Sequence, residues 1–143
     1  MRAIEKPVQD QVKSHFARKI PFFDGSVNAG FPSPAQDYHE EEISAEELLG
    51  LTPTCYLNKV NGPSMEGAHI PHGAVLVVDR ARKPSSGDVV VALLNNEFVI
   101  KRFVKTPAGL VLHPENANYQ PYLIKGDDQF QVWGVVKKVV ISL

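Results

Sequence analysis

From Thr54 onward the chain is a succession of short β-branched runs broken by turn residues: CYLNKV, AVLVVD, DVVVALL, EFVIKRF, GLVLH and QVWGVVKKVVI. Runs this short, with little room for helices between them, restrict residues 54–143 to a mostly β fold of short antiparallel strands. Parallel pairing would need crossover connections of a dozen or more residues. In VVVALLNNEFVIKRF, Asn95 and Asn96 tolerate the positive φ angles that a two-residue hairpin turn demands, so 88–94 should pair with 97–103.

The first part of the chain reads differently. In residues 1–19, Val8, Val12 and Phe16 have helical spacing in a polar segment, which predicts a weak helix. Residues 20–42 hold Ile20, Phe22 and Phe23, a Pro/Gly-rich stretch and the acidic run Glu40, Glu41, Glu42. That composition predicts an extended arm. In NAGFPSPAQDY (28–38), Pro32 and Pro34 prevent a helix and disfavour a central strand, so the bond between Ala29 and Gly30 should be exposed and extended. SAEELLG predicts a short helix, with Ser44 as cap, Glu47 completing the capping box and Gly50 ending it. The expected organisation is a flexible N-terminal arm over 1–42 and one β-rich domain over 43–143.

Charge and apolar runs exclude several classes. Fifteen Lys and Arg against sixteen Asp and Glu give a formal net charge of -1, which supplies no general field for a polyanion. Direct, sequence-specific DNA binding is not expected. The longest apolar runs, Ala74–Val78 and Val89–Leu94, fall far short of the ~18 residues needed to span a bilayer. The N-terminus lacks the apolar core of a secretory signal, and Cys55 is the single cysteine, which predicts a cytoplasmic protein without internal disulfides.

Two residues carry candidate chemistry. Strand alternation in 97–103 places Lys101 between Val99 and Phe103 on one face. Desolvation there can lower the lysine pKa until the free amine serves as a general base; alternatively the side chain snorkels, its stem on apolar surface and its head in water. Ser64, between Gly62, Pro63 and Gly67 just after CYLNKV, can present its hydroxyl outward with backbone amides nearby, or can be an ordinary polar turn residue. The five histidines (His15, His39, His69, His72 and His113) form no triad pattern, and His69 and His72, flanking Pro71, read as surface loop residues. Cys55 opens a strand in an apolar context, which predicts a buried, inert thiol. No phosphate loop or Cys/His metal spacing is present in the sequence, so no cofactor or metal is expected.

AGFPSPAQDY, NGPSMEGAHIPHGAVLVVDR and EFVIKRF occur in that order, and together they resemble UmuD, the LexA-related family of self-cleaving subunits of error-prone DNA polymerases. The resemblance runs from about Pro21 to the C-terminus. It implies a LexA/signal-peptidase-like β domain in which Ser64 is the nucleophile, Lys101 the general base, and the Ala29–Gly30 bond the protein's own substrate. It also implies a homodimer, activation of cleavage by a RecA filament on single-stranded DNA after DNA damage, and a UmuC-type translesion polymerase as partner of the truncated form. The residues before the cut, 1–29, are too few for a helix-turn-helix domain with its own core, which favours a polymerase subunit over a repressor.

The rival readings are a non-enzymatic β-rich interaction module, a LexA-like repressor fragment, and a membrane-bound signal peptidase sharing the dyad, which the lack of any apolar run long enough to span disfavours. One departure stands out. Proteins of this family use backbone amides at and just before the nucleophile to hold the oxyanion, and here the preceding residue is Pro63, which has no N–H. The oxyanion is then expected to rely on the Ser64 amide alone or on a further donor that the sequence does not identify, and Pro63 can equally be a stiffener of the turn with no kinetic role.

Overall fold

The computed structural model describes residues 18–23, 27, 30 and 40–143. The helix expected around Val8, Val12 and Phe16 lies outside the described residues. The chain divides into two compact units, 1–49 and 50–143.

In the first unit, β1 (Lys19–Phe23) pairs antiparallel with β2 (Glu40–Ser44), from Lys19 opposite Ser44 to Phe23 opposite Glu40. Neither strand is signalled by the sequence. Pro21 and three consecutive glutamates argue against a central strand, yet in a two-stranded ladder both strands are edges, where proline and charge are tolerated. Helix α1 (Ala45–Leu49) follows directly. The Glu47 N–H donates to Ser44 Oγ at 3.1 Å while the Ser44 N–H reaches Glu47 Oε1 at 3.4 Å, which is the expected capping box. Glu47 also pairs with Lys19, tying α1 to β1. Gly50 takes φ +65° where the helix stops.

The second unit is a seven-stranded sheet of antiparallel neighbours: β3 (Cys55–Lys59), β4 (Val75–Asp79), β5 (Val89–Leu94), β6 (Glu97–Thr106), β7 (Gly109–His113), β8 (Tyr122–Leu123) and β9 (Phe130–Val140), in the order β3-β4-β9-β5-β6-β7-β8. The mostly β expectation holds, as does the 95–96 hairpin: Asn95 and Asn96 have φ +49° and +68°, and Leu94 faces Glu97. The last strand, β9, sits mid-sheet between β4 and β5. It keeps both registers by bulging at Lys137 against β4 and at Trp133 against β5.

Strand β5 is apolar throughout because both its faces are covered. Val91 joins a core of Val60, Met65, Ile70, Ala74, Leu76 and Val78, whereas Val90 and Ala92 join Phe103 and Val135 on the other face. Among the described residues no helix is long and apolar enough to cross a membrane.

Candidate active site

Ser64 lies on the connection from β3 to β4. That connection is pinned at both ends of the turn: Val60 and Met65 are buried in the first core, and the Glu66 N–H closes onto the Pro63 carbonyl at 3.2 Å. A 3-10 turn, Glu66–Ala68, then carries the chain to His69, which is left-handed at φ +62°. Buried anchors beneath an exposed Gly/Pro turn leave the half-buried Ser64 hydroxyl free to face the sheet.

Lys101 sits in the middle of β6, directly opposite Val90, which is fully buried. Its same-face neighbours Val99 and Phe103 both pack into the second core, as alternation predicts. The Lys101 Nζ lies 2.7 Å from Ser64 Oγ. Burial pushes the Lys101 pKa below the ordinary lysine value. The ion pairs among the described residues are Lys19 with Glu47 and Arg102 with Glu115, so the next residue along β6 takes the nearby carboxylate and Lys101 is left without a counter-ion. A lysine held in this way gives up its proton more readily than a solvated one, and the neutral amine at hydrogen-bond distance from a hydroxyl can accept its proton.

The two side chains open into a cleft of about 290 Å³ walled by Leu76, Val91, Val99 and Ile100, with Asn58 and Asn61 on its rim. A larger depression, about 730 Å³, runs along Glu66 and residues 113–121. The smaller cleft, which holds the Ser64–Lys101 contact, is the candidate site.

Of the other residues singled out in the sequence, Ala29 lies outside the described residues and Gly30 is exposed, with open space where a side chain would be. His15 and His39 also lie outside them. His69, His72 and His113 are exposed, and none lines the Ser64–Lys101 cleft. His72 has a role that its loop position did not signal: its Nδ1 accepts the Gly62 N–H at 2.9 Å and so braces the turn that carries Ser64. Cys55 corrects the expectation of a buried, inert thiol. It is half-buried, with the Thr52 hydroxyl 3.3 Å and the Lys137 ammonium 3.9 Å from its sulfur, because β3 is an edge strand with polar neighbours. Among the described residues no group of His, Cys, Asp and Glu is placed to hold a metal.

Residues 21–137, most of the chain, match the family described as Peptidase S24-like. The chain belongs to that family. Within this peptidase S24-like family it is similar to protein MucA of Salmonella typhimurium, 40% identical over 125 residues covering 86% of this chain and 85% of that protein. It is also similar to protein SamA of Salmonella typhimurium strain LT2, 36% identical over 137 residues covering 95% and 92%. The LexA repressor of Bordetella petrii is 37% identical over 112 residues, 78% of this chain but 50% of that repressor. The resemblance to UmuD drawn from the motifs therefore stands, and the chain is a UmuD-like SOS-response member of a peptidase family.

Proposed function

We propose that this protein is a self-cleaving subunit of an error-prone translesion polymerase, in which Ser64 and Lys101 act as a serine/lysine dyad on the chain's own Ala29–Gly30 bond. The observation that carries this reading is the 2.7 Å approach of Ser64 Oγ to a lysine whose pKa burial has lowered.

The chemistry follows from that pair. Neutral Lys101 Nζ takes the Ser64 proton, and Oγ attacks the Ala29 carbonyl carbon. The oxyanion is held by the Ser64 N–H. Collapse of the tetrahedral intermediate breaks the bond from the Ala29 carbonyl carbon to the Gly30 nitrogen, and the Lys101 ammonium gives its proton to the departing Gly30 amine. Water, deprotonated by the again neutral Lys101, then hydrolyses the Ser64 ester and restores the hydroxyl. Small residues at the cut let the backbone lie close over the nucleophile, and the open surroundings of Gly30 suit a segment that must be captured as an extended strand.

In this reading residues 1–42 form the arm that bears the cut and 43–143 the peptidase and dimerisation domain. The truncated homodimer joins a UmuC-type polymerase in the cytoplasm, and a RecA filament on single-stranded DNA promotes the cut by favouring docking of the arm. The UmuD-like membership of the family supports these partners.

The test is mass spectrometry of the purified full chain incubated alone at about pH 10, where even an ordinary lysine is substantially neutral. One new N-terminus at Gly30 is expected. Ser64→Ala and Lys101→Ala should each remain uncut while staying folded, and exposed Lys105→Ala should cut like the parent. Cleavage that persists in Lys101→Ala at neutral pH would remove the dyad, and a parent that never cuts would leave a non-enzymatic β-rich interaction module in its place. Scattered nicks at basic residues such as Lys19 would identify a contaminating protease.

A further inference from the structure

The nucleophile's turn is gripped from outside by the loop that leaves β7. The Asn116 Nδ2 donates to the Pro63 carbonyl at 2.9 Å, the Glu115 N–H donates to the Ser64 carbonyl at 2.9 Å, and the Gly67 N–H donates to the Glu115 carbonyl at 2.7 Å. The last contact is so close that a Cβ on Gly67 would stand 2.5 Å from the Glu115 carbonyl oxygen. The grip is itself anchored to β6. The Glu115 carboxylate accepts from Arg102 Nε at 2.5 Å, and Arg102 is the residue after Lys101.

Peptide geometry gives the Asn116 contact a chemical consequence. The Pro63 carbonyl and the Ser64 N–H are opposite edges of one planar, trans peptide, so fixing the direction of the carbonyl fixes the direction of the N–H. Pro63 has no N–H of its own to help. Among the hydrogen bonds of the described residues, the Ser64 N–H has no acceptor. An amide without a protein acceptor beside Ser64 Oγ, with its peptide held from the far edge by Asn116 at 2.9 Å and more loosely by the Glu66 N–H at 3.2 Å, is arranged to bind an anion that is absent until reaction.

We propose that Asn116 is a positioning residue: by holding the Pro63 carbonyl it aims the Ser64 N–H at the oxyanion. This rests on the dyad reading given above and adds to it a residue that touches neither substrate nor either dyad side chain.

Asn116 uses its two side-chain ends differently, which makes the idea separable from a simple role in loop shape. Its Oδ1 accepts the Asn118 N–H at 3.0 Å, whereas only Nδ2 reaches Pro63. Asn116→Asp keeps the acceptor and loses the donor; Asn116→Ala loses both without adding charge.

The experiment measures self-cleavage of the full-length variants between neutral pH and about pH 10, beside Lys101→Ala and the unfolding temperature of each. Both Asn116 variants are expected to cleave roughly ten- to a hundredfold more slowly than the parent at every pH, since a misaimed donor costs up to what a missing one does. The midpoint of the pH profile, which belongs to Lys101, should not move, and Asn116→Asp should melt with the parent. Asn116→Asp cutting at the parental rate overturns the proposal. So does a slowed rate that comes with a shifted pH midpoint or a lowered unfolding temperature in both variants, because Asn116 would then serve the fold or the burial of Lys101. Lys101→Ala cutting like the parent would instead remove the dyad itself.

Discussion

Val78 covers Gly134 so closely that a methyl group on Gly134 would stand 2.5 Å from Val78 Cγ1 and 3.0 Å from the Asp79 carbonyl oxygen. This close approach holds β9 against β4, with the β9 bulge at Trp133 on the other side of Gly134.

Gly134→Ala should therefore destabilise the fold by about 1–3 kcal/mol through overpacking, measured by denaturant unfolding. In a double-mutant cycle with Val78→Ala, part of the cost should be recovered but not all. The side chain can be removed, while the Asp79 carbonyl is backbone and stays. Strict additivity of the two substitutions would show that they do not share this contact.

Lys101 makes a prediction about stability that is independent of catalysis. Its pKa is lower folded than unfolded, so between those two values the unfolded chain binds more protons and stability rises with pH. The cost of burying the ammonium is full below the folded pKa and is relieved as pH climbs from there towards the ordinary lysine value near ~10.4. Lys101→Met should thus be more stable than the parent at neutral pH, with the gap narrowing through that window and levelling above it. A gap that does not change with pH would mean that the lysine is snorkelled and solvated.

Pro63→Ala restores an N–H beside Ser64, the proposed nucleophile, with little change in shape, and Pro63 is exposed, so little packing is lost. One oxyanion donor is worth ~3 kcal/mol, roughly a hundredfold in rate. Alkaline self-cleavage should speed up at least several-fold. An unchanged or reduced rate in a variant of parental stability would show that Pro63 only stiffens the turn.

The capping box at Ser44 gives a local prediction. Ser44→Ala removes the acceptor for the Glu47 N–H and should cost α1 about 1 kcal/mol. Hydrogen exchange of the Glu47 amide should accelerate by roughly fivefold, the ratio to which that energy corresponds. Ser44→Asp, which supplies another capping acceptor, should restore most of the protection.

Local chemistry made some of this fold legible in sequence, and distance along the chain hid the rest. Asn95–Asn96, Ser44 with Glu47, and the Val99–Lys101–Phe103 alternation each depend on residues only a few positions apart, and each appears as expected. The meeting of Ser64 with Lys101 depends on how strands far apart in sequence are ordered in the sheet, so spacing could not give it and only the family resemblance brought the two together. Asn116 and Glu115 went unnoticed, and the bracing role of His72 was missed, for the same reason. Each is a loop residue with no pattern of its own, and its importance comes from a backbone group distant in the chain or across a turn. The short strand β8, two residues long, is below what alternation can register. The β1–β2 ladder was masked by proline and charge, which count against central strands but not against paired edges.

That ladder would also separate the proposed hydrolysis from release. Because Phe23 is paired with Glu40, the ladder holds the two ends of the 24–39 stretch together. A single cut anywhere in residues 24–39 nicks the chain without detaching anything, for as long as the five pairs and the Lys19–Glu47 contact hold. Departure of the N-terminal piece is then a second event with its own rate, set by the fraying of a short two-stranded ladder, which is marginal once its ends are no longer covalently joined. A denaturing gel would time the first event and a native size measurement the second, and any lag between them would be the lifetime of the nicked particle.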